Sequence, residues 1–290
     1  MAKKINTQII ERTAPSPTGS LHLGHIYSIM TAYNNAKKNN GLFKLRIEDI
    51  DSTRCKINFE KEIISNLLWL GIRWNGKIMR QRNRKRYYTT AIEKLQKNGL
   101  VYPCSCTRSD IKNAVTAPHF GDHSNIVYPG TCKITQPKQP IRAIRLDVKK
   151  AIKITNIKKV VFVETGPTSG NVAREISMSE TEIIQKFGDI IIARQDIGTS
   201  YNLSVVIDDA AQMVTHVTRG NDLLSVTPIQ VLLQKLLNLP TPVYYHHDLI
   251  YEISGKKMSK RSSSQSVNYF KNVGLSPQEV IERAFKLKQN

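Results

Sequence analysis

Apolar positions recur along this chain with two different periods, and each change of period marks a new element. A short strand is predicted around Gln8–Arg12, followed by the turn-rich stretch APSPTGSLHLGH, Ala14–His25. Helical spacing then runs from about Ile26 to Asn40 and stops at Gly41, where a C-terminal glycine would end it. Phe43, Leu45 and Ile47 alternate with Lys44, Arg46 and Glu48, the period-two mark of a strand. Strand, loop, helix and strand make one βαβ unit.

Two amphipathic helices follow, one carrying Phe59, Ile63, Leu67 and Leu70 before Gly71, the other Tyr88, Ile92 and Leu95 before Gly99. From Val101 to about Lys186 the pattern changes to cysteines, turn residues and short strands such as IRAIRLDV and KVVFVE, which reads as an insertion. A βα pattern resumes with DIIIARQ, the helix YNLSVVIDDAAQ, the strand VTHVTRG and a helix from Pro228 to Leu237. Ser276, Pro277 and Glu279 predict a capping box for a terminal helix. The fold class expected is α/β, with a doubly wound parallel sheet. Residues 1–100 would form its first half, 101–186 the insertion and acceptor contacts, 187–255 its second half, and 256–290 a lysine-rich loop with a short helical C-terminal segment.

The chain has 290 residues, 40% hydrophobic and 23% charged, which suits a packed globular protein and excludes a fibre or a disordered tail. Its formal charge of +20 favours a polyanionic partner, although lysines that merely decorate a solvated surface would give the same sum. No apolar run is long enough to span a bilayer and the N-terminus lacks the pattern of a signal peptide, so a cytoplasmic location without membrane contact is expected. Three of the four cysteines fall between Cys104 and Cys132, a spacing closer to a metal site than to a disulfide framework.

The loop Ala14–His25 follows the first strand, at the end where doubly wound sheets bind ligands. Pro15 and Pro17 stiffen it, Gly19 and Gly24 admit close backbone approach, and the helix beyond offers amide donors to phosphate. ATP suits that geometry. His22 and His25 would donate to phosphate oxygens as charge builds at the α-phosphate, an electrostatic role rather than a basic one. Either histidine alone is more often a satisfied turn or core residue. Far downstream, the lysines of GKKMSKR could fold over the same phosphates as a cationic lid.

HLGH, His22–His25, resembles the first signature of the class I aminoacyl-tRNA synthetases, and KMSK, Lys257–Lys260, resembles their second. RTAPSPTGSLHLGH with LRIEDID is similar to the glutamyl branch, and YNLSVVIDD and VTRGNDLL follow in the expected order. The resemblance implies a Rossmann-like sheet, activation of glutamate with ATP and Mg2+, and catalytic roles for His22, His25 and Lys260. It places ATP at Gly24, His25, Lys257 and Lys260, and glutamate at Arg12, Thr13, Ala14, Pro15, Ser16, Glu48, Tyr201 and Arg219. The residue types fit an amino-acid dicarboxylate, since an arginine can clamp a carboxylate, Glu48 can pair with the α-ammonium and Tyr201 can donate a hydrogen bond. A structural ion pair is the alternative for Glu48 and Arg219, but their places at the C-terminal end of one strand and just after another favour function, and Asp49 and Asp51 are weaker candidates. Thr13 stands where an aromatic residue is common in the family, and Arg261 where a serine usually follows KMSK.

Cys104, Cys106 and Cys132 could hold zinc and staple the insertion, with buried unbound thiols as the alternative. Chemistry leaves the fourth ligand open among Tyr128, His119 and His123. The pattern C-x-C, Y-x-x-x-C resembles the glutamyl-queuosine tRNA(Asp) synthetases, which implies Tyr128. That resemblance also implies a tRNA(Asp) carrying queuosine as partner and acceptor, and about 30 residues after KMSK leave no room for an anticodon-binding region of the usual kind. A monomer is expected. A minimal glutamyl-tRNA synthetase charging the 3′ end and a non-catalytic tRNA-binding paralogue are the alternatives.

Overall fold

Sequence places Asn39, Asn40 and Gly41 after a lysine-rich turn, and this is where the first helix is closed. In the computed structural model, which describes residues 8–115, 127–250 and 266–287, strand β1 (Ile10–Thr13) leads into helix α1 (Leu23–Lys38) and strand β2 (Leu42–Ile47). The helix starts three residues earlier than its apolar spacing suggests, with His22 as its N-cap. Asn40, not Gly41, takes the left-handed conformation, at φ 49°. The amide of Gly41 reaches back to Ala36 O and that of Asn40 to Lys37 O, which satisfies two terminal carbonyls. Gly41 is required for another reason: a Cβ there would lie 2.4 Å from Ile9 O.

After α2 (Ile57–Trp69), β3 (Met79–Arg80) and α3 (Lys85–Lys97), the chain forms β4 (Val101–Cys104), α4 (Arg108–Val115), α5 (Thr131–Ile134) and β5 (Ala143–Leu146). Next come α6 (Val148–Thr155), β6 (Lys159–Glu164), β7 (Arg174–Ser179), α7 (Glu180–Phe187) and β8 (Ile191–Arg194). The chain then continues through α8 (Tyr201–Ala211), β9 (His216–Gly220), α9 (Thr227–Leu237), β10 (Val243–His247), α10 (Val267–Asn272) and α11 (Pro277–Lys286). Ser276 and Glu279 close the capping box that starts α11.

Strands β1, β2 and β3 pair in parallel, with β2 central, and β6, β10 and β9 pair in parallel with β7 antiparallel at the edge. The two sheets meet edge to edge where Thr215 N–H donates to Ile10 O and Ile10 N–H donates to Thr215 Oγ1. Strand order therefore reverses between β1 and β9. Two strands pair otherwise than their place in the chain suggested. KVVFVE joins the parallel sheet as β6, whereas DIIIARQ supplies β8 to a separate antiparallel sheet with β4 and β5. Strand periodicity reports which faces are buried and carries nothing about a partner far away in sequence.

Helices cover both faces of the sheet. Leu45 and Ile47 join the core under α1, α2 and α11, while Arg46 between them meets α8 on the other side. The second core lies among α3, α8, α9 and β6. No helix among the described residues is long and apolar enough to cross a membrane.

Gly41→Ala should lower stability by roughly 2 to 3 kcal/mol through overpacking against the β1 backbone. Gly71→Ala, at φ +77° with nothing within 4 Å of the new Cβ, should lose only about 1 kcal/mol. Urea midpoints of the two variants measure the difference.

Candidate active site

Every strand of the parallel sheet ends on the same side, so the point where strand order reverses leaves a crevice between the loops after β1 and β9. A cavity of about 160 Å³ lies there. Arg12 and Thr13 at the end of β1, Ala14 and Pro15 beyond it, His25 of α1, Glu48 after β2, Tyr201 at the start of α8 and Arg219 near the end of β9 all line it. Ser16 lines a larger neighbour of about 460 Å³, which shares Glu48 and Tyr201 with the first and adds Asp51, Arg54 and Arg194. The loop is pinned to β2 because the Glu48 amide donates to Pro15 O at 3.1 Å.

Glu48 and Arg219 do not pair with each other. Arg46 is fully buried and donates to Asp209 at 2.7 Å and to Glu48 at 3.2 Å, and Arg12 Nε donates to the same Asp209 oxygen at 3.2 Å. Burial would raise the Asp209 carboxyl, but the two guanidiniums outweigh it and hold it below the usual carboxylate range. Burial wins at Glu48, whose carboxyl rises above its ordinary value in spite of Arg46 and Arg12. Arg219 belongs to a different set, donating to His246, Gln230 and Thr227 at 2.8 to 3.1 Å. Asp49 is tied to Arg82, together with Glu60, and Asp51 accepts from Thr53 and the Arg54 amide, so both are committed to local structure.

The His22 and His25 rings lie 3.7 Å apart between centroids, tilted by 38°, and His22 N–H donates to His25 Nδ1 at 3.2 Å. A neutral His25 ring therefore carries its proton on Nε2. Gly24 contributes an amide of the first turn of α1. Lys257 and Lys260 lie outside the described residues, as do His119 and His123. The flanking residues are informative: Ile250 is buried in the core under α1, Ser266 bridges to His22, and Val267 N–H donates to Leu21 O at 2.9 Å.

Away from this crevice, the thiols of Cys104, Cys106 and Cys132 lie within 4.8 Å of one another and could hold a metal ion. The Tyr128 hydroxyl is 3.5 Å from both Cys104 Sγ and Cys106 Sγ. Burial pushes the Cys106 thiol up to about 11, whereas hydrogen bonds from Tyr128 and Ser105 overcome burial and bring Cys132 down to about 6. Buried Arg145 places Nε 3.2 Å from Cys104 Sγ and its guanidinium 3.6 Å from the Tyr128 ring centre.

Sequence reasoning missed Arg46, Asp209, Arg145 and His246. Arg46 sits on the polar side of the β2 alternation, and only a sheet covered on both faces buries it. The signal for Asp209 was an acidic pair inside the apolar helix YNLSVVIDDAA. Asp209→Asn should destabilise the fold by about 3 kcal/mol or more, because two buried guanidiniums lose their shared anion. Chemical denaturation reads the loss directly.

The family profile described as "tRNA synthetases class I (E and Q), catalytic domain" matches residues 8–287. The chain is 45% identical to the glutamyl-Q tRNA(Asp) synthetase of Rhodobacter capsulatus over 280 residues, covering 94% of this chain and 98% of that one. It is 39% identical to the glutamyl-Q tRNA(Asp) synthetase of Geobacter sulfurreducens, covering 89% and 77%. The glutamate-tRNA synthetase structure from Elizabethkingia anophelis superposes with a TM-score of 0.69 at 24% identity, a likeness of fold that covers 92% of this chain and only 54% of that one. With two arginines lining the cavity at the strand reversal and this agreement along nearly its whole length, the chain belongs to the class I glutamyl and glutaminyl tRNA synthetase family, in the glutamyl-Q tRNA(Asp) synthetase group.

Proposed function

We propose that this ligase joins glutamate to ATP without needing tRNA, and then passes the glutamyl group to queuosine in the anticodon of tRNA(Asp). The observation that carries the reading is the convergence of Arg12, Arg219, Glu48 and Tyr201 on one small cavity. A glutamate bound there brings two carboxylates to two guanidiniums, and its ammonium draws charge back onto Glu48, whose carboxyl burial otherwise raises. The α-carboxylate oxygen attacks the α-phosphorus of Mg2+-bound ATP, and the bond to the β-phosphate breaks to release pyrophosphate. His25, with its proton on Nε2, and His22 stabilise the charge that develops on the phosphate, and the Gly24 amide faces the same oxygens. Lys257 and Lys260 complete the cation set. The anchoring of Ile250 and Ser266 beside α1 supports that role, since it ties both flanks of their segment to the histidine loop.

The larger cavity suits the acceptor. It shares the wall of Glu48 and Tyr201 with the amino-acid cavity and is rimmed by Arg54 and Arg194. An acceptor hydroxyl entering there attacks the acyl carbon, and AMP leaves with the bonding pair. Base and phosphate contacts from such a rim would position an extruded nucleoside.

We further propose that Cys104, Cys106, Tyr128 and Cys132 hold one structural zinc. Ligands of a tetrahedral zinc at about 2.3 Å for sulfur and 2.0 Å for oxygen stand about 3.5 to 3.8 Å apart. The 3.5 Å from the Tyr128 oxygen to two sulfurs matches the oxygen–sulfur edge, and the 3.4 Å between Cys106 and Cys132 is about 0.4 Å shorter than the sulfur–sulfur edge. Three thiolates and a phenolate exceed the charge of the metal, and buried Arg145 offsets half of the excess.

Purified protein should exchange pyrophosphate into ATP with glutamate and without tRNA, and far more slowly with glutamine or aspartate. Equal exchange with glutamine would remove the specificity reading. Labelled glutamate should attach to tRNA(Asp) containing queuosine and not to the unmodified transcript, with nuclease mapping placing it in the anticodon loop; label on the 3′-terminal adenosine would instead establish a minimal glutamyl-tRNA synthetase. Elemental analysis should find one zinc per chain, lost in Cys132→Ser, weakened in Tyr128→Phe and retained in His119→Ala and His123→Ala. Metal loss in either histidine variant returns the fourth ligand to that histidine.

A further inference from the structure

Of the arginines that line the amino-acid cavity, Arg12 and Arg219 are neutralised in different ways. Arg12 lies directly against the Asp209 carboxylate. Among the described residues Arg219 touches no carboxylate: its Nε donates to His246 Nε2 at 3.1 Å, Nη1 to Gln230 Oε1 at 2.9 Å and Nη2 to Thr227 Oγ1 at 2.8 Å. The nearest anion in that network is one imidazole further back. Glu164 Oε2 meets His246 Nδ1 at 2.5 Å, and its other oxygen accepts from the amides of Gly166 and His246 at 2.7 and 3.0 Å. His246 and Glu164 are both fully buried.

Hydrogen-bond direction follows from chemistry. A guanidinium only donates, so His246 Nε2 must accept, and the single proton of the neutral ring must sit on Nδ1, where it donates to Glu164. Glu164 is thus fixed by two backbone amides, the imidazole by Glu164, and the guanidinium plane by the imidazole. Tyr244 closes the rear, parallel to His246 at 8° and 5.2 Å from the guanidinium carbon. A guanidinium has five N–H donors; three are engaged among the described residues, which leaves two, the number a carboxylate takes in a forked pair.

We infer that His246, backed by Glu164, is the positioning residue that fixes the plane of Arg219 and so sets the preference for a carboxylate over an amide in the amino-acid cavity. The inference rests on the reading of that cavity as a glutamate site. A direct carboxylate partner would have spent the charge of Arg219, and no partner at all would have left the side chain free to turn. An imidazole between them holds the geometry and leaves the charge for the substrate. A neutral amide presents one oxygen and one NH2, so one of the two remaining N–H groups would face a donor.

Two variants separate positioning from bulk structure. His246→Asn keeps a donor toward Glu164 and removes the acceptor for Arg219, whereas His246→Gln can return an amide oxygen near the place of Nε2. In pyrophosphate exchange, His246→Asn should raise KM for glutamate roughly tenfold or more and reduce the glutamate-to-glutamine preference by a similar factor. Its kcat and its KM for ATP should stay near wild type, and His246→Gln should recover part of both losses. Unchanged KM and preference in His246→Asn would overturn the inference, as would a parallel fall in kcat and ATP affinity with no recovery in His246→Gln. The ring 15N shifts of His246 in the substrate-free protein provide a readout independent of glutamate: they should show a protonated Nδ1 and a bare Nε2, and the opposite tautomer refutes the relay. If wild-type protein activates a different dicarboxylate instead, the glutamate reading falls alone, and the same variants assayed with that substrate decide the relay.

Discussion

One buried carboxylate joins the halves of this protein and holds together two cations that would otherwise repel. Asp209 of α8 accepts from Arg12 of β1 and Arg46 of β2, two guanidiniums under the same helix. Burying such charges is unfavourable unless each finds a partner, and removing the shared anion leaves Arg12 without its carboxylate and Arg46 with Glu48 alone in a dry interior. The same contact fixes the site, since Arg12 lines the cavity and Arg46 holds Glu48 at its edge. Fold and cavity geometry therefore depend on a single acid.

Much of this was legible in the sequence. Helices α2, α3, α8 and α9 stand where apolar spacing puts them, and Gly71 and Gly99 close theirs with positive φ. The start of α1 was misjudged because His22 and His25 are polar, and a count of apolar residues passes over a first turn built from a histidine N-cap. The exchange of KVVFVE and DIIIARQ between sheets escaped for a deeper reason: β6 pairs with β10, which lies far along the chain, and nothing local to either strand specifies that choice.

Within the site, residues lining the cavity were easier to place than residues behind it. Resemblance to the glutamyl branch pointed to Arg12, Glu48, Tyr201 and Arg219, and their polar types at the ends of strands and helices agree with it. Arg46 and His246 lie one step behind, and their environment depends on which helix covers the sheet. Arg145 belongs with them, being an ordinary-looking arginine of the strand AIRL until the thiols fold around it.

The wall common to the two cavities has a kinetic side. An acyl-adenylate is a mixed anhydride, and once formed it is exposed to two competing nucleophiles, the intended hydroxyl and water. Because Glu48 and Tyr201 line both spaces, an anhydride formed in the smaller cavity would lie beside the larger one. An acceptor nucleoside that filled the larger space would be at once reagent and stopper, displacing the water that would hydrolyse the anhydride. The fraction of ATP consumed without product then becomes a measure of how well the incoming nucleoside fits.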